Sequence, residues 1–181
     1  MENGFAHATT LDIATRAHVS KRELYALVGN KEQMLAACIA ERGSRMRLPQ
    51  GFPPPTDRAS LKAALCQYAA TLLRELLDPD VLAVFRLGIA EAKRSPAIAH
   101  SIDRLGRQPS RAALMGLLRQ ARASRLLAGE DLEEMASRFR ALLAGDIMVW
   151  ILLGIEKVPS AKELDRRAED VATFFVATYG R

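Results

Sequence analysis

The sequence predicts an all-α protein, with a small N-terminal head joined to a larger helical body. Three observations carry this prediction. Ala, Leu, Arg and Glu, all strong helix formers, dominate the chain, and strand-like alternation is scarce. Helix-start signals recur from end to end. One proline-rich stretch, PQGFPPPT over residues 49–56, interrupts the helical pattern, because proline cannot continue a helix. The expected domains are therefore a head over 1–47 and a body over 48–181.

The start signals place the elements in order. Thr9 or Thr10 can cap a helix near 9–17, with Leu11 or Ile13, Ala14 and Ala17 on its buried face. Ser20 followed by Glu23 has capping-box spacing and opens a helix near 20–28 that buries Leu24 and Val28. Asn30 with Gln33 opens a third near 31–47. Beyond the prolines, helices are expected near 58–77, 79–94, 97–106, 109–124, 131–155 and 161–179. Asp78-Pro79 and Ser95-Pro96 each offer a cap followed by proline at the first helical position, and Ser160 with Glu163 repeats the box.

Composition narrows the function. At 49% hydrophobic and 26% charged, the 181 residues suit a globular chain, and the net charge of +5 favours a polyanionic partner. Cys38 and Cys66 lie in Ala/Leu-rich helical stretches and read as small buried thiols in a reducing compartment. The opening MENGFAHATT does not read as a signal peptide, so a cytoplasmic location is expected. The most apolar run, 141–155, is shorter than the roughly 20 residues of a membrane span and carries Asp146. No membrane partner is expected. Three scattered histidines and two distant cysteines give no metal-ligand spacing. No phosphate-cradling glycine loop or nucleophile elbow occurs, so neither an enzyme nor a cofactor is expected.

Residues 4–35 are the most informative. Two short helices joined by the tight turn Ala17-His18-Val19-Ser20 make a helix-turn-helix, which projects the start of its second helix into a DNA major groove. The exposed positions of that helix are Lys21, Arg22, Glu23, Tyr25 and Ala26. Cations at a helix N-terminus oppose the helix dipole unless an anion faces them. Arg22 can read guanine, and Tyr25 can contact phosphate or a thymine methyl. Glu23 can accept from cytosine, although it also has a capping task.

The segment TTLDIATRAHVSKRELYALVGNKEQML resembles the DNA-binding domain of the tetracycline-repressor (TetR/AcrR) family. Thr10, Ile13, Ala14, Val19, Ser20, Leu24, Tyr25, Lys31, Glu32 and Leu35 carry the pattern. The resemblance implies that Thr10 and Lys31 hold phosphates while Lys21, Arg22, Glu23 and Tyr25 face the groove. It also implies a palindromic double-stranded operator, a homodimer and a small-molecule effector that releases DNA, as in a repressor. Two positions depart from the pattern: His18 stands where glycine is usual, and Val28 where an aromatic is common. Met1-Glu2-Asn3 is all that precedes Gly4-Phe5, where the family has a longer amphipathic helix. The first helix of the head is therefore expected to be truncated or missing.

The body is similar to the AefR-like type of C-terminal domain, through RLGIAEAKRSPAIAHSI, ALMGLLRQARASRLL and FRALLAG. Its periodicity independently points to a partner. Leu132, Ala136, Phe139, Leu143, Ile147, Trp150 and Gly154 form one stripe, and Met135, Leu142, Val149 and Leu153 a second. With Leu164, Ala168, Val171, Phe174, Phe175 and Tyr179 of the last helix, they suggest an intermolecular four-helix bundle. The interface set is Leu132, Phe139, Leu143, Ile147, Trp150, Val171, Phe174 and Phe175. Candidate effector-pocket residues are Phe85, Ile89, Met115, Leu118, Met148 and Trp150. Asp146 pairs with an arginine, contacts a ligand or faces solvent, and His100 lies on a helix surface. The rival reading is a dimeric small-molecule-binding or scaffolding protein whose head no longer reads DNA.

Overall fold

The computed structural model describes residues 9–45, 53–129 and 131–181, with Lys31 described by its backbone alone. Gly4 and Phe5 and most of the 49–56 joint lie outside the described residues.

The head is built from local chemistry. α1 (Thr10–Arg16) opens on a reciprocal box, in which the Asp12 amide donates to the Thr9 hydroxyl and the Thr9 amide donates to the Asp12 carboxylate. α2 (Lys21–Val28) opens on the Ser20–Glu23 box, and α3 (Lys31–Arg45) on Asn30 and Gln33. The α1–α2 turn is a Schellman motif. The Val19 amide donates to Ala14 O at 3.1 Å and the His18 amide to Thr15 O at 3.2 Å, which leaves His18 at φ +54°. The glycine-free turn therefore adopts the left-handed backbone that the family pattern reserves for glycine.

Ala14, Leu24 and Met34 form the buried centre of the head, with Ile13 and Val19 packed against them. Of the alternatives Leu11 and Ile13, it is Ile13 that packs inward, while Leu11 is exposed; Ala17 and Val28, expected inside, are on the surface. Helices this short supply one inward position per turn, and Ala14 and Leu24 already occupy it.

α3 belongs to both parts. Met34 faces the head, while Ile39, near its middle, approaches Gly106 of the body. One turn on, Arg42 donates to Asp78 at 3.2 Å and to Asp80 at 2.7 Å. Gly43 lies so close to the body that a Cβ there would sit 2.0 Å from the Leu105 carbonyl oxygen. Only a glycine permits that approach.

The body is organised by α4 (Arg58–Leu76) and α10 (Ala161–Tyr179). They run antiparallel, tied by Arg58 to Val176 O, Lys62 to Glu169 and Arg74 to Asp165. α5 (Pro79–Ala90) starts on Asp78 as predicted. α6 (Pro96–Ser101) starts without a side-chain bond from Ser95 and continues into a π-helical turn, Ile102–Arg107, before α7 (Gln108–Ala123). π-helical turns are rare and recur at functional places; this one faces Gly43. An aromatic series crosses the core: Tyr68 to Phe139 at 6.1 Å, Phe139 to Phe175 at 5.3 Å edge-on, and Phe175 to Tyr179 at 4.9 Å. Such tilted and edge-on pairs add to the burial of their area.

The predicted helix over 131–155 is two helices, α8 (Leu132–Ala144) and α9 (Ile147–Leu152). The break falls at Gly145, at φ +47°. Both ends are capped by arginines from other helices. Arg167 donates to Leu143 O and Leu142 O, and Arg86 to Ile151 O and Leu152 O. Orphan carbonyls at a helix end accept such cations readily, and periodicity alone could not reveal these distant partners. Two smaller expectations also fail: Cys38 is exposed and Cys66 is half-buried, with burial pushing its thiol pKa up. Asp146 and His100 are both exposed.

Candidate nucleic-acid interface

The outer face of α2 carries Lys21, Arg22, Glu23, Tyr25 and Ala26, all exposed. Leu24, the inward residue of the same helix, pins it to the small head core. The face thus follows from one buried leucine and one cap. Ser20 fixes where the helix begins, and Leu24 fixes which side faces out.

The side chains on this face differ in freedom. The Glu23 carboxylate is taken by the Ser20 backbone amide at 2.8 Å. Its bonds with Ser20 hold its pKa below the ordinary glutamate value. Its capping task therefore wins over a free acceptor role. Tyr25 is 43% exposed, with its hydroxyl oxygen 3.4 Å from the Thr10 hydroxyl on α1. The Lys21 ammonium lies 5.9 Å from the Tyr25 ring centre, within cation–π range. Thr10, Lys21 and Tyr25 therefore form one surface across α1 and α2. Arg22 is exposed and has no ion pair among the described residues, which leaves its five donors available. The backbone of Lys31 opens α3, but its side chain lies outside what is described.

The Lys21–Tyr25 and Thr10–Tyr25 contacts were not anticipated. The i, i+4 spacing of Lys21 and Tyr25 is a sequence signal for the first; nothing local signals the second.

The other predicted sites redistribute. Leu132, Phe139, Leu143, Val171 and Phe175 are buried in this chain's own core, where Phe139 packs between Tyr68 and Phe175. Within one chain these side chains pack against its own core, although Val171 also reaches the surface between α8 and α10. Ile147 is half-buried, whereas Trp150 and Phe174 are exposed. Leu142, Val149, Leu153 and Ile155 also stand in solvent. A shallow depression of about 360 Å³ between α8 and α10 is lined by Leu142, Glu163, Arg166, Arg167, Asp170 and Val171. None of the six predicted effector-pocket residues lines it. Met115 and Leu118 are sealed in the core, Phe85 and Met148 are partly buried against it, and Ile89 and Trp150 are exposed.

Among the described residues no cluster of His, Cys, Asp and Glu could hold a metal. No described helix is long and apolar enough to cross a membrane.

Comparisons with known proteins match both parts of the chain. The C-terminal domain of AefR-like transcriptional repressors matches residues 63–181. The tetR family of bacterial regulatory proteins matches residues 1–38. No curated protein matches the chain. A TetR transcriptional regulator from Agrobacterium tumefaciens is 29% identical, with 95% of this chain and 84% of that one covered at a TM-score of 0.79. The flavonoid-responsive regulator FrrA is 28% identical, covering 99% and 90% at a TM-score of 0.74. A TetR-family regulator of Mesorhizobium loti, 22% identical, shares the fold over 99% and 90% at a TM-score of 0.79.

Proposed function

The chain belongs to the TetR family of bacterial transcriptional regulators, with an AefR-like body, and we propose that it is a repressor released from a palindromic operator by a small-molecule effector. Regulators of this family bind DNA operators and dimerise. The single observation that carries the assignment of roles is the outward face of α2, anchored by Ser20 and Leu24.

In this reading Arg22 is the base reader, because its fork is free to meet guanine bidentately. Thr10 and Tyr25, joined across the two helices, meet the phosphate backbone with Lys21. Lys31, at the opening of α3, adds a phosphate contact where backbone amides already favour an anion. Glu23 stays with Ser20 and holds the helix start in shape. Ser20 contributes through that cap.

Two copies place their α2 helices in successive major grooves, about 34 Å apart. The proposed dimer face is the apolar surface left outside the core: Leu142, Val149, Trp150, Leu153 and Phe174. The proposed division is a reading head over 1–47 and an effector-binding, dimerising body over 48–181, with α3 packed against both. FrrA is named for its response to flavonoids, and an aromatic effector is a reasonable first class to screen.

The test is selection of bound sequences from a random duplex pool, repeated at two salt concentrations. Enrichment of two-fold symmetric sites with half-sites about one helical turn apart supports the reading. Binding should weaken steeply with salt, as phosphate contacts require. No enrichment, with the protein folded and dimeric, would favour a body that binds small molecules without reading DNA.

A further inference from the structure

Among the described residues three arginines are half-buried: Arg42, Arg140 and Arg167. Arg42 pairs with Asp78 and Asp80, and Arg167 donates to the carbonyls that end α8. Arg140 on α8 is different. Its Nη1 donates to the Ser110 hydroxyl oxygen at 2.9 Å, the guanidinium also acts on the Tyr68 hydroxyl, and it makes no ion pair among the described residues.

What stands behind Arg140 is rigid and polar. Ser110 on α7 is 1% exposed and is the one buried polar residue among those described. Its hydroxyl donates to Arg107 O at 3.0 Å while accepting from Arg140. Its carbonyl accepts from the Tyr68 hydroxyl at 3.0 Å, and Tyr68 is itself 1% exposed. Burial pushes the Tyr68 pKa up, and the positive charge of Arg140 pulls against that shift. Three helices, α4, α7 and α8, thus contribute one polar group each to a single chain of bonds within an apolar core. Satisfied networks of this kind fix side-chain orientation.

The rest of the guanidinium remains open. Arg140 is half-buried, and no N–H of its guanidinium is both buried and unpartnered, so the donors that Ser110 and Tyr68 leave unused are open to solvent or to a ligand. A charge withdrawn partly from water without a counter-ion is costly. A guanidinium already held in place presents its remaining donors to a planar carboxylate with little further ordering.

We propose that Arg140, oriented by Ser110 and Tyr68, anchors the acidic head group of the effector, an organic carboxylate. This deepens the effector reading above and rests on it. The apolar remainder of such an acid would lie against the body next to α7 and α8. Occupation would couple the ligand to Arg107 through Ser110. Arg107 ends the π-helical turn on which Gly43 of α3 is seated.

The test is calorimetric titration of the full chain with sodium n-alkanoates from acetate to decanoate and with benzoate, each paired with its uncharged amide. At least one acid should bind tenfold or more tightly than its amide. Arg140→Gln, which can still donate to Ser110, should abolish that preference, and Arg140→Lys should restore part of it. In the wild-type protein, where folding is not in question, the Arg140 Nε–H resonance should move on adding the acid and stay still with the amide. No saturable binding by any acid, equal binding of acid and amide, or an unmoved Arg140 resonance at saturation would each overturn the proposal. Release of DNA by a neutral compound, with that resonance unmoved, would remove the acid anchor and leave effector control standing. Absence of DNA binding by the ligand-free protein would remove the regulator reading and leave the preference for acids intact.

Discussion

The head and the body hold themselves together by different means. The head closes on Ala14, Leu24 and Met34, and depends on reciprocal caps at Thr9, Ser20 and Asn30 to define where its helices begin. The body closes on an aromatic series reaching from Tyr68 to Tyr179, with α4 and α10 aligned along their length. A small core cannot offset much conformational entropy. The head should therefore open locally while the body stays folded, and the part that meets DNA is the part with least to spare.

That difference can be broken most forcefully in the body. Phe139→Ala removes a ring packed on both sides and should cost about 3–5 kcal/mol, read as a lower denaturant midpoint for the whole chain. A loss confined to part of the transition would mean that the core is less continuous than described. Leu24→Ala should cost about 2 kcal/mol, but as a local event. Amide exchange in α1 and α2 should quicken and DNA binding should fall, while the body's unfolding midpoint stays put. A shift of the body midpoint would show the two parts to be one cooperative unit.

The caps sharpen the comparison at smaller magnitude. Ser20→Ala should destabilise the head by about 1 kcal/mol. Glu23 adds a pH signature. Its pKa is lowered by its bonds to Ser20, so its contribution is complete above the ordinary glutamate value of about 4.3. That contribution is lost as pH falls through the lowered value. Glu23→Gln should flatten the acid loss of head protection measured by amide exchange, and an unchanged acid profile would count against the box. His18→Gly relieves a left-handed backbone at φ +54°. It should stabilise the head by roughly 0.5–1 kcal/mol, seen as slower exchange in α1.

Legibility in the sequence followed the range of the interactions. The Ser20–Glu23, Asn30–Gln33 and Ser160–Glu163 boxes were readable because both partners lie within one turn. The left-handed residue at His18 was readable for the same reason. The α8–α9 break was not readable from periodicity, because the Arg167 that takes the last carbonyls of α8 arrives from another helix. The apolar stripe containing Phe139, Leu143 and Phe175 is legible as a face that must be covered, and within one chain it is covered by the chain's own core. Periodicity says that a face must be covered without saying by what. Trp150 and Phe174, from the same stripes, remain on the surface. In the candidate DNA-binding surface, the exposed residues of α2 were readable from helical phase, whereas the approach of Thr10 to Tyr25 required the turn to be folded.

The central claim, that α2 reads bases while the start of α3 grips phosphate, is tested most directly by measuring Arg22→Ala and Lys31→Ala binding to a selected site and to a scrambled duplex. Arg22→Ala should lose about 1–3 kcal/mol on the selected site with little change on the scrambled one, whereas Lys31→Ala should weaken both alike and flatten the salt dependence. Equal losses on both duplexes for the two variants would contradict the account.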